Sequence, residues 1–319
     1  MTMIVINNVK PAPQAAVAVP TFPGQTGGSK MAPVPLPPLD ASRLGRLETY
    51  ADQFADIFTR ADQSRWFRLY LRGLLDGINR KNVEAIATRV KADDSGTTNF
   101  AQALQHFVSN SPWDASRVLA RYRELLPATI RESPGLWVVH DGVIPKKGRH
   151  SVGTQRQFAR PFGRKMNCQI AVVVGRAGSF GYTPLATRLY LPGYWLREHS
   201  ATVEKTVPDG FRLPVGKPEI AKGLLEELVR EGWAATGVVA DEGYLDGQTL
   251  RGGLGAFTGP GLRPKDTPEN TPLQQAIDRF EWLKRTLGLD HFEGRTWVGW
   301  HHHASLVLAA YGFVQSDSI

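Results

Sequence analysis

The stretch EIAKGLLEELVREGWAATGVVADEGY (219–244) carries the pattern that decides the fold class. Its first half predicts an amphipathic helix over Glu219–Glu231, because apolar side chains recur there at helical spacing: Ile220, Leu224, Leu225 and Leu228. Gly232 interrupts this periodicity, and Thr236–Ala240 is a short apolar run typical of a buried strand. A helix that leads into a buried strand indicates an α/β protein.

Apolar runs on both sides of this stretch extend the pattern. After Pro134 the sequence predicts strands at Leu136–His140, Gln169–Val174 and Thr187–Leu191. Downstream it predicts two helices, Leu273–Leu287 and His303–Val314, while Gly255–Thr258 is compatible with one more short strand. We therefore expect an α/β domain with a mixed sheet flanked by helices.

The residues before the sheet follow a different pattern. Residues 1–40 are rich in proline and lack periodicity, which predicts a disordered leader. Residues 41–132 predict an all-α region of four or five helices, among them Val83–Val90, Phe100–Val108 and Ala115–Leu126. Asn99 and Asp114 are the expected N-caps of the last two. We therefore divide the chain into a leader (1–40), a helical region (41–132) and a sheet domain (133–319).

The composition narrows the class of protein. The chain has 319 residues, of which 42% are hydrophobic, enough for one large or two moderate cores. Cys168 is its single cysteine, which excludes an intrachain disulfide and a cysteine-rich zinc site. No apolar run reaches about 18 residues, and the N-terminus lacks the features of a secretory signal. We expect a cytoplasmic protein.

The distribution of charge points to a polyanionic partner. The formal net charge is +8, and no Asp or Glu occurs between Gly142 and Arg197. A solvated surface usually mixes both signs, so a tract of one sign predicts contacts with nucleic-acid phosphates. The basic residues of this tract are Lys146, Lys147, Arg149, Arg156, Arg160, Arg164, Lys165, Arg176, Arg188 and Arg197.

Two aspartates follow predicted strands. Asp141 comes directly after Leu136–His140, and Asp241 comes directly after Thr236–Ala240. Carboxylates at the ends of neighbouring strands point into a shared crevice, and they repel each other unless a hard cation such as Mg²⁺ or Mn²⁺ neutralises them. We expect the two carboxyl groups to lie within about 4–6 Å of each other, as ligands of a shared metal pair require.

Five blocks along the chain, in order, resemble one family. They are WVVHDGVIPKKGRHSVG (137–153), NCQIAV (167–172), RLYLPGYW (188–195), VVADEGY (238–244) and the stretch from QQAIDRFEWLK (274–284) to WHHHASLVLAAYGF (300–313). Together with the helical region around residues 54–87, they resemble the DDE insertion-sequence transposases. The resemblance implies an RNase H-like mixed sheet flanked by helices, preceded by an all-α N-terminal region.

The resemblance also implies a metal-dependent site. In that family two aspartates on the sheet and a glutamate on the late helix hold two Mg²⁺ ions, and a water or a 3′-hydroxyl attacks the DNA backbone. Asp141 and Asp241 match the first two positions. His140 stands where the family usually has the first of two adjacent aspartates, and Ile277 stands where it has the glutamate, seven residues before Lys284.

The third carboxylate is therefore expected at a neighbouring position. Glu281 lies one turn after Ile277 on the same helical face, and Asp278 is the immediate neighbour with a shorter side chain. We predict that Glu281 is catalytic and points toward the two aspartates, and that Asp278 faces Arg279 or solvent, although it remains a candidate metal ligand. The large insertion that the family commonly carries before this helix is missing, since only residues 242–272 stand there.

Further DNA contacts are expected outside the acidic positions. From the basic tract we select the seven residues from Lys146 to Lys165, because Lys146 and Lys147 follow Asp141 in a turn suited to gripping the scissile strand. Lys284, Arg295 and His302 are the candidates on the C-terminal helices. Consecutive residues on a helix point about 100° apart, so His301, His302 and His303 do not form a transition-metal site. Trp297 and Trp300 are assigned to the core.

Two functions remain open from the sequence, and with them whether the chain is an enzyme. The first is a DNA transposase that uses Mg²⁺ or Mn²⁺ to cut and transfer strands at element ends, with residues 41–132 as its DNA-binding region. The second is a catalytically impaired descendant that only binds DNA. Both imply double-stranded DNA as partner, no membrane and a nucleoid-associated location, and strand transfer at two ends implies a homodimer. A metal hydrolase for small molecules is disfavoured by the long basic tract.

Overall fold

The computed structural model of the chain describes residues 36–91, 99–244 and 271–317. The expected leader up to residue 35 and the possible strand Gly255–Thr258 lie outside the described residues. Within the described ranges, no helix is long and apolar enough to cross a membrane.

The all-α N-terminal region is confirmed. Its helices are α1 (Ala41–Asp52), α2 (Ala61–Leu75), α3 (Val83–Val90), α4 (Phe100–Ser109), α5 (Ala115–Glu124) and the single turn α6 (Ala128–Arg131). The Asp114 side chain accepts a hydrogen bond from the Ser116 amide and caps α5 as predicted. Asn99 occupies the N-cap position of α4 as predicted, but it has a left-handed backbone (φ 63°) and its side chain makes no capping hydrogen bond.

The mixed sheet is also confirmed. Within the described residues it has five strands, β1 (Gly135–Pro145), β2 (Gln155–Ala159), β3 (Arg164–Gly178), β4 (Gly181–Leu189) and β5 (Val238–Ala240). The long strand β3 is antiparallel to β1 on one side and to β2 and β4 on the other. Strand β5 is parallel to β1, with Ala240 opposite Val139.

Five helices follow the sheet's antiparallel strands in the described part of the chain. They are α7 (Gly193–Glu198), α8 (Ser200–Thr206), α9 (Lys217–Arg230), α10 (Pro272–Leu287) and α11 (Trp297–Asp317). Helix α11 is buried along most of its length and packs against α1, α2, α4, α5 and β4. Three aromatic residues of the N-terminal helical region, Phe54, Trp66 and Tyr70, are buried in this same cluster.

Side chains alternate between the two faces of β1, and each face is covered by a different helix. Asp141 points to the face on which α9 lies, because Lys217 at the start of α9 reaches its carboxylate. His140 points to the other face, where its ring meets Phe280 of α10 at a centroid distance of 5.9 Å. Gly142 shares the His140 face, and a Cβ atom there would lie 2.4 Å from Cζ of Phe280. The lack of a side chain at position 142 therefore lets α10 approach the sheet.

Strand boundaries differ from the predicted ones in one way that affects the site. Asp141 does not end its strand, because β1 continues to Pro145 while paired with β3. Beside Asp141 it is β5 that has ended, at Ala240. Strand β2 was not predicted, because its sequence QRQFA begins with three polar residues and contains neither an apolar run nor an apolar alternation.

Candidate active site

Asp141 is a fully buried carboxylate with both oxygens engaged. Its side chain has no exposed surface. The Tyr244 hydroxyl donates to Oδ1 at 2.7 Å, and the Lys217 ammonium donates to Oδ2 at 2.6 Å. Burial of an unpaired carboxylate would be costly, so these two donors explain how the carboxylate is kept in the interior.

The two donors come from elements that meet only in the folded chain. Lys217 is the first residue of α9, and Tyr244 ends a 3-10 turn, Glu242–Tyr244, that directly follows β5. The Lys217 ammonium also lies 5.4 Å from the centre of the Tyr244 ring. Burial, reinforced by the negative charge of Asp141, holds the pKa of Tyr244 far above its usual value. Tyr244 therefore stays protonated and acts as a hydrogen-bond donor.

Asp241 is the second buried carboxylate of this region. Its backbone amide donates to the Val139 carbonyl at 2.9 Å, which fixes it at the end of β5 beside β1. Burial raises the pKa of Asp241, and the charge of Asp141 raises it further, while Arg160 opposes both effects. Arg160 Nε lies 3.8 Å from Asp241 Oδ1. The two aspartates therefore interact electrostatically, and their expected separation of 4–6 Å stays a prediction.

The candidate third carboxylate, Glu281, is bound to a lysine. Its Oε1 accepts a hydrogen bond from the Lys284 ammonium at 2.6 Å, and Lys284 also donates to the Val143 carbonyl of β1 at 3.1 Å. Asp278 is exposed and accepts a hydrogen bond from the Gln274 side chain. Ile277 packs in an apolar cluster with Val138.

The described residues contain no group of three or more His, Cys, Asp or Glu side chains placed to hold a metal ion. Asp141 and Asp241 nevertheless offer the oxygen ligands that Mg²⁺ and Mn²⁺ prefer. Asp141 Oδ2 already binds one cationic group, the Lys217 ammonium. The carboxylate donors are therefore of the type that a hard cation takes, and Asp141 Oδ2 is the oxygen that Lys217 now occupies.

His140 occupies the position at which the resembled family has an aspartate. Its Nε2 lies 3.1 Å from the Tyr182 hydroxyl, and burial lowers its pKa to about 4. The imidazole is therefore neutral near pH 7 and supplies no charge to the site. Together with Ile277, it gives the α10 face of the sheet a neutral surface at this point.

The expected DNA contacts divide into exposed and internal residues. The exposed ones are Lys147, Arg149, Arg156, Arg164, Lys165 and Arg295, and Arg160 is half-buried. Lys146 is half-buried and donates to the Phe292 carbonyl, and burial lowers its pKa. Lys284 is buried against β1. The assignments of Lys146 and Lys284 as phosphate contacts are corrected accordingly, because both ammonium groups are used inside the protein.

The assignment of His302 as a DNA contact is corrected as well. It is buried, its ring nitrogens contact the Val108 and Trp113 carbonyls at 2.9 and 2.8 Å, and it stacks on the Trp113 ring. It thus joins helices α4 and α11 and has no surface to offer DNA. Trp297 and Trp300 are buried, as expected for core residues.

Comparison with known proteins identifies the family. Residues 53–258 match the family model described as DDE superfamily endonuclease, which is more than half of the chain. The chain belongs to the DDE superfamily of endonucleases. The resemblance found in the sequence is thereby confirmed. The matched segment of this DDE superfamily member contains Asp141, Lys217, Asp241 and Tyr244 but ends before Glu281.

A curated relative supports the same assignment. The chain is 28% identical over 200 residues to the probable transposase for insertion sequence element IS701 of Microchaete diplosiphon. This alignment covers 62% of the chain and 47% of the relative, so the chain spans about half the length of that relative. No solved structure matches the chain.

Lys217 and Tyr244 are the site residues that the sequence analysis missed. Tyr244 belongs to the VVADEGY block quoted for the resemblance, so a signal for it was present. Lys217 stands alone before Pro218 in a loop-like stretch and carries no pattern of its own. Its role emerges only when the start of α9 is brought against β1.

Proposed function

We propose that this chain is a DNA transposase that cuts and joins phosphodiester bonds at the ends of an insertion element with the help of Mg²⁺ or Mn²⁺. The observation that carries the proposal is the pair Asp141 and Asp241, two buried carboxylates of a DDE-superfamily chain at the junction of β1 and β5. Similarity to a probable insertion-sequence transposase supports DNA as the substrate. We propose that the mixed sheet is RNase H-like, because of the family match and this similarity.

The chain's own residues prepare the site for a cation. Tyr244 orients Asp141 through one oxygen and leaves the other oxygen to Lys217, so this second oxygen is the one available to a metal. A bound divalent cation would polarise a phosphoryl oxygen and activate a water or 3′-hydroxyl nucleophile. Asp141 and Asp241 would hold the cation, and we propose Glu281 as the third ligand, after release from Lys284. Asp278 is left out of this set because it is exposed and engaged by Gln274.

The remaining parts of the chain are given roles consistent with DNA as partner. The exposed basic residues of the tract 147–165 would contact phosphates and position the duplex, because such contacts fix register without reading sequence. We propose residues 41–132 as a DNA-binding region and residues 133–319 as the catalytic domain. Joining two element ends requires two sites, so we propose a homodimer during strand transfer, acting on nucleoid DNA in the cytoplasm.

A nicking assay tests the proposal. The full chain is incubated with a supercoiled plasmid that carries the ends of its own element, with Mg²⁺, with Mn²⁺ or with EDTA. We expect nicking only with a divalent cation, and loss of nicking in Asp141→Asn and Asp241→Asn with DNA binding retained. Glu281→Gln should behave in the same way, whereas the matched variant Asp278→Asn on the same helix should nick normally.

The outcomes separate the two functions. If the wild-type chain binds these ends but never nicks them with either cation, the catalytic proposal fails and a DNA-binding descendant remains. If nicking requires both aspartates but survives Glu281→Gln, then the third ligand is assigned incorrectly while the function stands.

A further inference from the structure

The segment from Arg156 to Lys165, here called the aromatic turn, exposes two phenylalanine rings. Phe158 on β2 is 49% exposed, and Phe162 in the following 3-10 turn is 41% exposed. Single exposed apolar residues are common on protein surfaces. Here, however, two aromatic rings lie four residues apart within the basic tract, and Arg160 between them reaches the candidate active site.

Basic side chains surround these rings. Phe158 is paired across the strands with Lys165, and Arg156 lies two residues before Phe158 on the same face of β2. All three side chains are exposed. Gly163 adopts a left-handed backbone (φ 60°) that ends the 3-10 turn and returns the chain into β3.

The aromatic turn is anchored to the candidate active site. Arg160, between the two phenylalanines, lies 3.8 Å from Asp241 and 3.6 Å from Glu242, measured from guanidinium nitrogen to carboxylate oxygen. A Cβ atom at Gly243 would lie 2.6 Å from Arg160 Nε, so the backbone of the turn after β5 directly contacts this arginine. On the other side, the Lys284 ammonium lies 5.9 Å from the centre of the Phe162 ring.

We propose that Phe158 and Phe162 stack on unpaired bases of the DNA that lies at Asp141 and Asp241. The inference rests on the proposed function, because it takes DNA as the substrate, and it adds that the bound DNA is locally unpaired. In a duplex the base faces are covered by their neighbours, so an exposed aromatic ring reaches them only where the strands are open. Cationic side chains around aromatic rings form the combination that binds single-stranded nucleic acid.

Charge favours DNA over a protein partner. From Gly142 to Arg197 the chain contains no acidic residue, so the charged side chains of the aromatic turn itself are all basic. A protein interface usually mixes apolar residues with both charge types at its rim. The strand register also places Lys165 beside the Phe158 ring, where a phosphate flanking a stacked base would lie.

A binding comparison in EDTA tests the proposal without catalysis. Fluorescence anisotropy measures Kd of the full chain for two labelled DNAs of equal length, a complete duplex and a duplex interrupted by four unpaired thymines. We expect the double variant Phe158→Ala and Phe162→Ala to weaken binding to the interrupted DNA by at least about fivefold, the lower end of what stacking on one base contributes. Binding to the complete duplex should change less than twofold.

Matched variants separate stacking from other effects. Replacing both rings by leucine keeps the apolar surface but removes the planar faces, so it should weaken binding to the interrupted DNA as alanine does. Tyr194→Ala removes a different exposed ring, 60% exposed on α7, and should leave both affinities unchanged. Arg156→Ala should weaken binding to both DNAs, because phosphates are present in each.

The possible results are distinguishable. If the alanine double variant binds both DNAs as the wild type does, or if leucine restores full affinity, the stacking proposal is wrong while DNA binding stands. If the wild-type chain binds neither DNA, the proposed function and the stacking inference fail together. An equal loss on both DNAs with an unchanged melting temperature would make the rings general DNA contacts and would also overturn the inference.

Discussion

Lys217 is the residue whose removal should reveal how the buried carboxylate is stabilised. Its ammonium lies 2.6 Å from Asp141 Oδ2, with the aspartate side chain fully buried and the lysine side chain 19% exposed. Removing one partner of a buried ion pair costs about 3–5 kcal/mol, because the remaining charge stays desolvated. Since Tyr244 still donates to Asp141 and Lys217 is partly exposed, we expect Lys217→Met to lower the free energy of unfolding by about 3 kcal/mol.

Urea unfolding followed by circular dichroism measures this loss. Lys222→Met is the matched control on the same helix, because Lys222 forms an exposed pair with Glu226 at 3.4 Å and should contribute at most about 0.5 kcal/mol. If Asp141 accepts a divalent cation once the ammonium is gone, Mn²⁺ at 100 times its Kd should restore about 2.7 kcal/mol to the Lys217→Met variant. The reasoning is refuted if Lys217→Met loses less than about 1 kcal/mol, or if Mn²⁺ stabilises the variant and its Asp141→Asn double mutant equally.

Three further predictions concern salt, pH and packing. Replacing the exposed residues Lys147, Arg149 and Arg156 by alanine should reduce the slope of log K against log salt for duplex DNA by about 3, since each phosphate contact contributes about 0.9. An unchanged slope in a salt titration would mean that DNA contacts a different surface. His303 is buried between the Tyr70 hydroxyl and the Gly288 carbonyl, and burial lowers its pKa to about 3. Below about pH 6.5 the His303 imidazole binds a proton in the unfolded chain but not in the native chain, so the free energy of unfolding should fall toward pH 3. In unfolding titrations, His303→Gln should reduce the slope of this fall by up to about 1.4 kcal/mol per pH unit. Gly142→Ala should cost about 1–3 kcal/mol in urea unfolding because of its close approach to Phe280, whereas Gly148→Ala, with open space around it, should be neutral.

The parts of the fold that follow from local periodicity were predictable from the sequence. Helix α3 begins and ends where its apolar spacing predicts, and α10 differs by one residue at its start. Asp241 was expected at the end of its strand and is found there, because a short apolar run followed by a polar residue marks a strand end. Asp141 was predicted to follow its strand but lies within it. The strand continues through Gly142 to Pro145 because it pairs with β3, and no local sequence pattern reveals this pairing.

The contacts of the site depend on tertiary structure and were not predictable. Lys217 reaches Asp141 across 76 positions of sequence, and Tyr244 reaches it across 103. Each of these side chains is individually ordinary, and only the packing of α9 and the turn after β5 gives them a shared partner. The prediction that His302 contacts phosphate was wrong for the same reason, since its two backbone partners, Val108 and Trp113, belong to helix α4 and to the loop that follows it.

The pairing of β1 shows how a third carboxylate could join the two aspartates. Strand β5 pairs with β1 only as far as Val139, so among the described residues the edge of β1 beyond that point has no neighbouring strand on this side. The Val143 carbonyl on this open edge is satisfied by the Lys284 ammonium, which also holds Glu281. Glu281 lies on the α10 side of the sheet and Asp141 on the α9 side, so a carboxylate from α10 can reach Asp141 only around this edge. The lysine that occupies the edge therefore stands between Glu281 and the aspartates, and a cation bound by all three carboxylates requires Lys284 to give up Glu281.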